Sequence, residues 1–337
     1  MIPFRADAPW LAPLAGYSDL PFRLLCREHG AAVCCTEMVS AKGLLYASPG
    51  TRDLLRTTPA DAPLVLQLFG NEADIMTRVM PPLREQGFVW FDLNMGCSVP
   101  KVARTGCGAA MLKDVDNALA VAKAMIAVAG RGHVGFKIRL GWDAATEVWE
   151  TLALRLQDCG AGWITLHPRT ARQGFGGVAH WPSLHRLAGL LDIPLLASGD
   201  LFTEEDGVRC LRETGAAGVM YARGAMQNPA VFARHTALLR GEPLPPGDAP
   251  ALLALIRRHA ALARQYSMER TALFKMRTFV PRYVHHLSGV RQLRQGLAVC
   301  QDWESLDALL EGFLLSHHGA APQNGEFCLP ARNANVL

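Results

Sequence analysis

Residues 90–112, WFDLNMGCSVPKVARTGCGAAML, bring an amide, a thiol and two cations close together in the chain. An apolar run ends in Asn94, Gly96 and Cys97 and passes into a glycine-broken loop carrying Lys101 and Arg104. A cysteine thiol, with a reference pKa of about 8.5, is mostly protonated at neutral pH and can serve as a general acid. In parallel α/β folds the loops leaving the carboxyl ends of the strands build the active site. Cys97 stands at such an end and is the leading candidate for chemistry.

The elements that must position it are legible as periodic pattern. Eight short apolar runs suit buried parallel strands: 10–16, 32–39, 63–70, 88–96, 133–141, 162–170, 193–200 and 217–224. Helical stretches lie between them, at 18–29, 73–86, 116–129, 146–159, 183–191 and 204–214. Eight strands alternating with helices predict an α/β fold of (β/α)8 TIM-barrel type over residues 1–240. A doubly wound sheet would need fewer strands and an early G-x-G-x-x-G, and the first strand is followed by Gly16, Tyr17, Ser18 and Asp19. The proline- and glycine-rich segment 241–250 reads as a linker, residues 251–315 as a small all-α domain of four helices, and 316–337 as a loosely held tail.

Polar residues gather where each strand stops. Pro13, Leu14 and Ala15 end the first, Glu37 and Met38 the second, Gln67 the third, and Asn94 with Cys97 the fourth. Lys137 and Arg139 end the fifth, His167 with Arg169 the sixth, Ser198, Gly199 and Asp200 the seventh, and Ala222 with Arg223 the eighth. Buried Lys, Arg and Glu must be paired or bound to something, so eight such coincidences argue for a site. Barrel loops after strands seven and eight often bind a phosphate through backbone N–H groups, and Arg223 adds a cation there. Lys137 and His167 would lie beside whatever that phosphate anchors. A cation near a flavin's pyrimidine ring stabilises its reduced anion, and an amide such as Gln67 can pair with the ring's edge. Flavin mononucleotide (FMN) fits these groups; a dinucleotide is unsupported, and no metal is expected.

Composition bounds the remaining classes. Half of the 337 residues are hydrophobic and 19% charged, as for a globular protein with a large core. The nine cysteines are scattered without metal-ligand spacing, the start lacks a signal peptide, and no apolar run is long enough to span a bilayer. A cytoplasmic protein, without a membrane or a required protein partner and acting as a monomer, is expected. The net charge of +4 is unevenly spread: residues 251–300 hold nine Lys or Arg against Glu269 alone, which leaves −4 for the rest. Such a concentration suits a polyanion, and Arg257, Arg264, Lys275 and Arg277 are its candidate contacts.

The motifs APLAGYSD (12–19), TEMVSAKGL (36–44), QLFG (67–70), LNMGCSVPKVARTGCGAAML (93–112), KIRLGWD (137–143), LHPRT (166–170), ASGDLF (197–202) and YARGAMQNP (221–229) together resemble the tRNA-dihydrouridine synthases, most closely their bacterial B-type branch. The chain departs from that pattern at Ser98, Pro168, Ser198 and Ala222, where proline, glycine, asparagine and glycine are usual. The resemblance implies FMN reduced by NADPH, which then reduces the C5–C6 bond of uridines in tRNA, in the D-loop. It further implies Cys97 as the acid at C5, Asn94 on the substrate base, and Lys137, His167 and Arg169, with Arg139, holding flavin and substrate in register. Lys101 and Arg104 would meet phosphates beside a flipped nucleotide, and the basic helical domain would grip the tRNA. Two other readings remain: an FMN barrel acting on a free pyrimidine, and a non-catalytic RNA-binding protein on a barrel scaffold.

Overall fold

The computed structural model describes residues 2–317. Among these residues nine parallel strands form one sheet: β1 (Trp10–Leu11), β2 (Val33–Cys35), β3 (Val39–Ser40), β4 (Leu64–Phe69), β5 (Trp90–Met95), β6 (Val134–Arg139), β7 (Trp163–His167), β8 (Leu195–Ala197) and β9 (Gly218–Tyr221). β1 pairs with both β2 and β9, and β2 with β4, so the sheet closes on itself as an eight-position barrel. β3 is the upper half of the second position, cut from β2 at Thr36 to Met38. There the Thr36 hydroxyl, rather than a backbone carbonyl, accepts the Gln67 N–H at 3.1 Å.

Helices α1 (Leu20–Glu28), α2 (Ala41–Leu45), α3 (Ala73–Glu85), α4 (Pro100–Ala103), α5 (Val115–Ala129), α6 (Trp149–Cys159), α7 (Trp181–Ala188), α8 (Glu204–Thr214), α9 (Arg223–Gln227) and α10 (Val231–Arg240) follow or connect the strands. The expected 10–16 strand shrinks to two residues, because Pro13 has no N–H to give the ladder and Gly16 turns the chain at φ +79°. α10 lies where the apolar pattern predicts no helix. Its inward face includes His235, fully buried against the Tyr221 hydroxyl (2.9 Å) and the Ala6 carbonyl (2.8 Å), a polar residue in a core position that hides the apolar period.

The amino end of the barrel is sealed by aromatics. Trp10, Trp90 and Trp163 point inward with Phe4 beneath them, and the Trp10 and Trp163 rings lie 5.7 Å apart. Gly135 is required beside this plug: a Cβ there would sit 1.9 Å from the Trp163 ring. Above the plug the interior becomes polar toward the carboxyl ends of the strands.

After coil at 242–247 come α11 (Ala249–Tyr266), α12 (Glu269–Tyr283), α13 (Val290–Val299) and α14 (Trp303–Leu315). These helices share their core with the barrel. Phe22 of α1 packs near Phe279 (5.0 Å) and His259 (5.7 Å), and the Tyr283 hydroxyl shares a hydrogen bond with His259 Nδ1 at 2.8 Å. Burial holds His259 down to about 4, so it is neutral. Among the described residues no helix is long and apolar enough to cross a membrane. Most of the tail expected over 316–337 lies outside the described residues.

Candidate active site

Strand alternation sets which side chains meet. Residues 90, 92 and 94 of β5 face one side, and the ladder places Gln67 opposite Asp92, Asn94 opposite Lys137, and Arg139 opposite His167. Since Trp90 is part of the interior plug, Asp92 and Asn94 line the cavity above it.

Cys97 lies just past β5, partly buried, in a loop fixed from several directions. Asn94 Oδ1 accepts the N–H groups of Cys97 (2.9 Å) and Gly96 (3.2 Å). The Cys97 carbonyl takes the Ala109 N–H at 2.9 Å, and Gly108, at φ +62°, is needed there because a Cβ would approach that carbonyl to 2.6 Å. Arg139 Nε donates to the Gly96 carbonyl at 2.8 Å. Burial pushes the Cys97 thiol up, more than a backbone hydrogen bond and the cations Arg139 and Lys137 pull it down. The thiol therefore keeps its proton at neutral pH.

Gln67 and Asn94 commit their amides to protein partners. Gln67 Nε2 donates to Asp92 Oδ2 at 2.7 Å, and Gln67 Oε1 accepts from Asn94 Nδ2 at 2.8 Å. The sequence pattern sets these amides against ring and base; in the structure they orient one another. Lys137 is half-buried, and burial, with repulsion from Arg139, lowers its ammonium to about 8.

Arg139 and Arg169 also do something other than the expected substrate contact. Arg139 donates to the carbonyls of Thr170 (2.9 Å) and Gly174 (2.8 Å), and burial lowers its guanidinium to about 10. Arg169, 1% exposed, donates to the carbonyls of Gly176 (3.0 Å) and Gly177 (2.8 Å) and to Asp200 (2.6 Å). Both arginines are clamps for the 170–177 loop, and Arg139 also ties that loop to the Cys97 loop. Arg169 faces His167 Nε2 at 3.2 Å, and a guanidinium cannot accept. His167 Nε2 is thus the acceptor and the proton sits on Nδ1. Burial and four surrounding arginine and lysine charges hold His167 well below its ordinary value, so it is neutral.

The ends of β8 and β9 meet back to back. A Cβ on Gly224 would come within 2.6 Å of the Leu201 and Phe202 carbonyls, and one on Gly199 within 2.6 Å of His167. Ser198 is buried, Ala222 precedes α9, and Pro13, Leu14 and Ala15 line the neighbouring β1 turn partly open to solvent. Asp200 is occupied by the protein: it accepts from Arg169, from Arg223 (3.1 Å) and from the Ala179 N–H (2.8 Å). Burial opposes its ionisation, but these partners hold its carboxyl below the usual range. The Arg223 guanidinium also lies 4.7 Å from the Phe175 and Phe202 rings. Phe175, 43% exposed at the lip, and Asp92 are site residues that the strand-end pattern does not reveal; the first sits in a glycine-rich loop and the second mid-strand.

On the rim, Lys101 and Arg104 of the α4 segment are exposed. Farther out the basic residues of the helices separate into two kinds. Arg257 forks onto Asp307 (2.7 Å) and reaches Glu311, Arg258 pairs with Glu28 (2.5 Å), and Lys275 pairs with Asp19 of the barrel. Arg277 donates to the Cys300 carbonyl, and Arg264 lies 5.3 Å from the Trp303 ring. Arg257, Lys275 and Arg277 therefore have partners within the protein that help pack the helical region, besides any contact with RNA. Arg270, Arg291 and Arg294 are exposed without an ion pair among the described residues. Continuing the count to residue 315 adds Asp302, Glu304, Asp307 and Glu311, so the helical region carries nine basic against five acidic residues.

Comparison with known proteins agrees over nearly the whole chain. The family model described as "Dihydrouridine synthase (Dus)" matches residues 10–317. A probable tRNA-dihydrouridine synthase from Treponema pallidum is 34% identical over 291 residues, 84% of this chain and 85% of that protein. The tRNA-dihydrouridine synthase B of Xanthomonas axonopodis pv. citri is 32% identical over 237 residues, 70% of this chain and 71% of that protein. Among solved structures, a morphinone reductase mutant in complex with tetrahydroNAD superposes with a TM-score of 0.50 at 13% identity, over 72% of this chain and 89% of that one, a likeness of fold. By barrel, by motif order and by relatives that cover most of its length, this chain belongs to the dihydrouridine synthase family.

Proposed function

We propose that this protein is an FMN-dependent tRNA-dihydrouridine synthase, reducing the C5–C6 bond of D-loop uridines with NADPH as the hydride source. The observation that carries the reading is Cys97: a thiol kept protonated by burial, held by its backbone at the lip of a polar barrel mouth, with Lys137 and Arg139 acting on its charge. The family supplies the substrate class.

The residues present fit a flavin mononucleotide. The turns Ser198–Asp200 and Ala222–Gly224 abut, glycine keeps them close, and the first N–H groups of a helix have no partner within it. With Arg223 they would hold the phosphate, and Pro13, Leu14, Ala15, Lys137 and His167 are the residues that would hold the ring. When bound, the flavin supplies a hydride to C6 of the base.

The chain's own groups do the rest. Negative charge develops at C5 and the adjoining carbonyl, and the Cys97 Sγ–H gives its proton to C5. The thiolate left behind is stabilised by Lys137 and Arg139, the two cations that act on it. The Arg139 and Arg169 clamps hold the 170–177 loop in place beside the mouth. A uridine in folded tRNA reaches this depth only when flipped out; Lys101 and Arg104 meet the flanking phosphates, and the exposed arginines of the helical region hold the more distant backbone.

The test is direct. tRNA from a strain lacking the gene is incubated with purified protein and NADPH, then digested to nucleosides. Dihydrouridine at discrete positions, with FMN released on denaturing the protein, is the expected result. Reduction of free uracil or uridine with tRNA untouched would overturn it.

A further inference from the structure

Asp92 has no place in the chemistry above, yet it is 2% exposed in the middle of β5, directly below Asn94 on the same face. Its Oδ2 takes the Gln67 amide at 2.7 Å, Gln67 takes the Asn94 amide at 2.8 Å, and Asn94 takes the Cys97 N–H at 2.9 Å. Each amide has one donating and one accepting end. An ionised carboxylate only accepts, so Gln67 must turn its NH2 toward Asp92 and its oxygen toward Asn94. Asn94 must then give its NH2 to Gln67 and keep its oxygen for the Cys97 loop. One acceptor-only group at the base fixes the direction of the whole chain.

We propose that Asp92 is a positioning residue: its buried carboxylate sets the polarity of the Gln67–Asn94 relay that holds the Cys97 loop. It rests on the reading of Cys97 as the proton donor.

The charges around Asp92 give the relay a pH signature. The groups acting on it are Gln67 of β4, which hydrogen-bonds it, and Lys137 of β6, the cation that stabilises it. Asp92 acts in turn on Cys35 of β2, a buried neutral thiol. The other carboxylate oxygen, Oδ1, is buried without a hydrogen-bond partner among the described residues, so Coulombic balance from Lys137 is what it has. A buried charge left unbalanced is strongly unfavourable. Burial lifts Asp92 to about 7 and lowers Lys137 to about 8. As pH falls through the first value the relay loses its acceptor-only end; as pH rises through the second, Lys137 loses its charge.

Wild type, Asp92→Asn and Asp92→Leu, each purified with bound cofactor, are compared in two ways. Steady-state kinetics on tRNA are recorded against pH, and alkylation of Cys97 by iodoacetamide is followed by peptide mass mapping. For Asp92→Asn, kcat is expected to fall about 10²-fold with KM for tRNA unchanged, the size expected for a small misplacement of a reacting group. Its alkaline limb should move to lower pH, because Lys137 has lost the carboxylate that favours its charged form. The alkylation midpoint of Cys97 should move to higher pH, because the thiolate has lost a nearby cation earlier. Asp92→Leu, which gives Gln67 no acceptor, should be worse in both. If Asp92→Leu does not fold, Asp92→Asn decides alone. An Asp92→Asn enzyme with wild-type kcat, alkaline limb and alkylation midpoint overturns the proposal, as does a change confined to KM. Failure of wild type to make dihydrouridine would instead sink the functional reading, while the alkylation arm would still report on the relay.

Discussion

The barrel mouth and the helical region contain the same side chain under opposite conditions. Arg139 and Arg169 are buried, and their guanidinium forks are filled by loop carbonyls and one carboxylate. Arg257 and Arg258 are exposed, and each forks onto a carboxylate of another element. A buried cation cannot be left without partners, so an arginine at a strand end already announces an organised site. An exposed cation on a helix announces nothing until its neighbours in space are known, since they come from distant sequence. Asp307, Glu311, Glu28 and Asp19 supply them here.

The difference is open to experiment, beginning with its largest expected effect. Arg169→Ala removes three carbonyl or carboxylate partners at once and leaves Asp200 with the Arg223 cation and the Ala179 N–H. Breaking a buried pair costs about 3–5 kcal/mol, and the lower end is expected because Asp200 keeps one cation. Denaturant unfolding would read this, and a loss below about 1 kcal/mol would erase the contrast between the regions. Next comes tRNA binding: changing Arg291 and Arg294 together to alanine should weaken affinity and flatten the salt dependence by roughly 0.7 to 0.9 in slope for every phosphate that is no longer neutralised. Flavin content should not change, and an unaltered slope would remove these two arginines from the RNA surface. Smallest is Arg257→Ala, whose surface pair is worth at most about 1 kcal/mol. Its charge is already met by Asp307 and Glu311, so tRNA affinity should hold; a drop as large as that of the Arg291 and Arg294 change would show that the ion pair opens for RNA.

The barrel is readable because its strands are apolar runs punctuated by glycine and proline, and their order alone fixes the closed topology. Polar residues at the strand ends are readable for the same reason, since an apolar strand has no other use for Lys137 or His167. What each polar group touches is not readable. Asp92 lies two residues below Asn94, where period-2 alternation puts it on the same interior face, but only the folded pairing with β4 brings it to Gln67. The 170–177 loop is held by side-chain to carbonyl bonds that leave no sequence pattern, which is why Arg139 and Arg169 look like ligands for a substrate. α10 is hidden by His235, which is buried through a hydrogen bond with Tyr221. The charge excess of 251–300 is real but truncated, because the acids that balance half of it begin at Asp302.

The central claim is that the thiol of Cys97 protonates C5 of a uridine in tRNA. The decisive measurement mixes pre-reduced wild type and Cys97→Ala with tRNA in a stopped-flow instrument and follows flavin reoxidation together with dihydrouridine formed in a single turnover. Reduction of the flavin by NADPH should proceed at the same rate in both proteins, since no proton donor to C5 takes part. Transfer to tRNA should be slower in Cys97→Ala by about 10² to 10⁴-fold, the range of general acid catalysis. Equal single-turnover rates on tRNA would contradict the account and move the acid to another residue of the mouth.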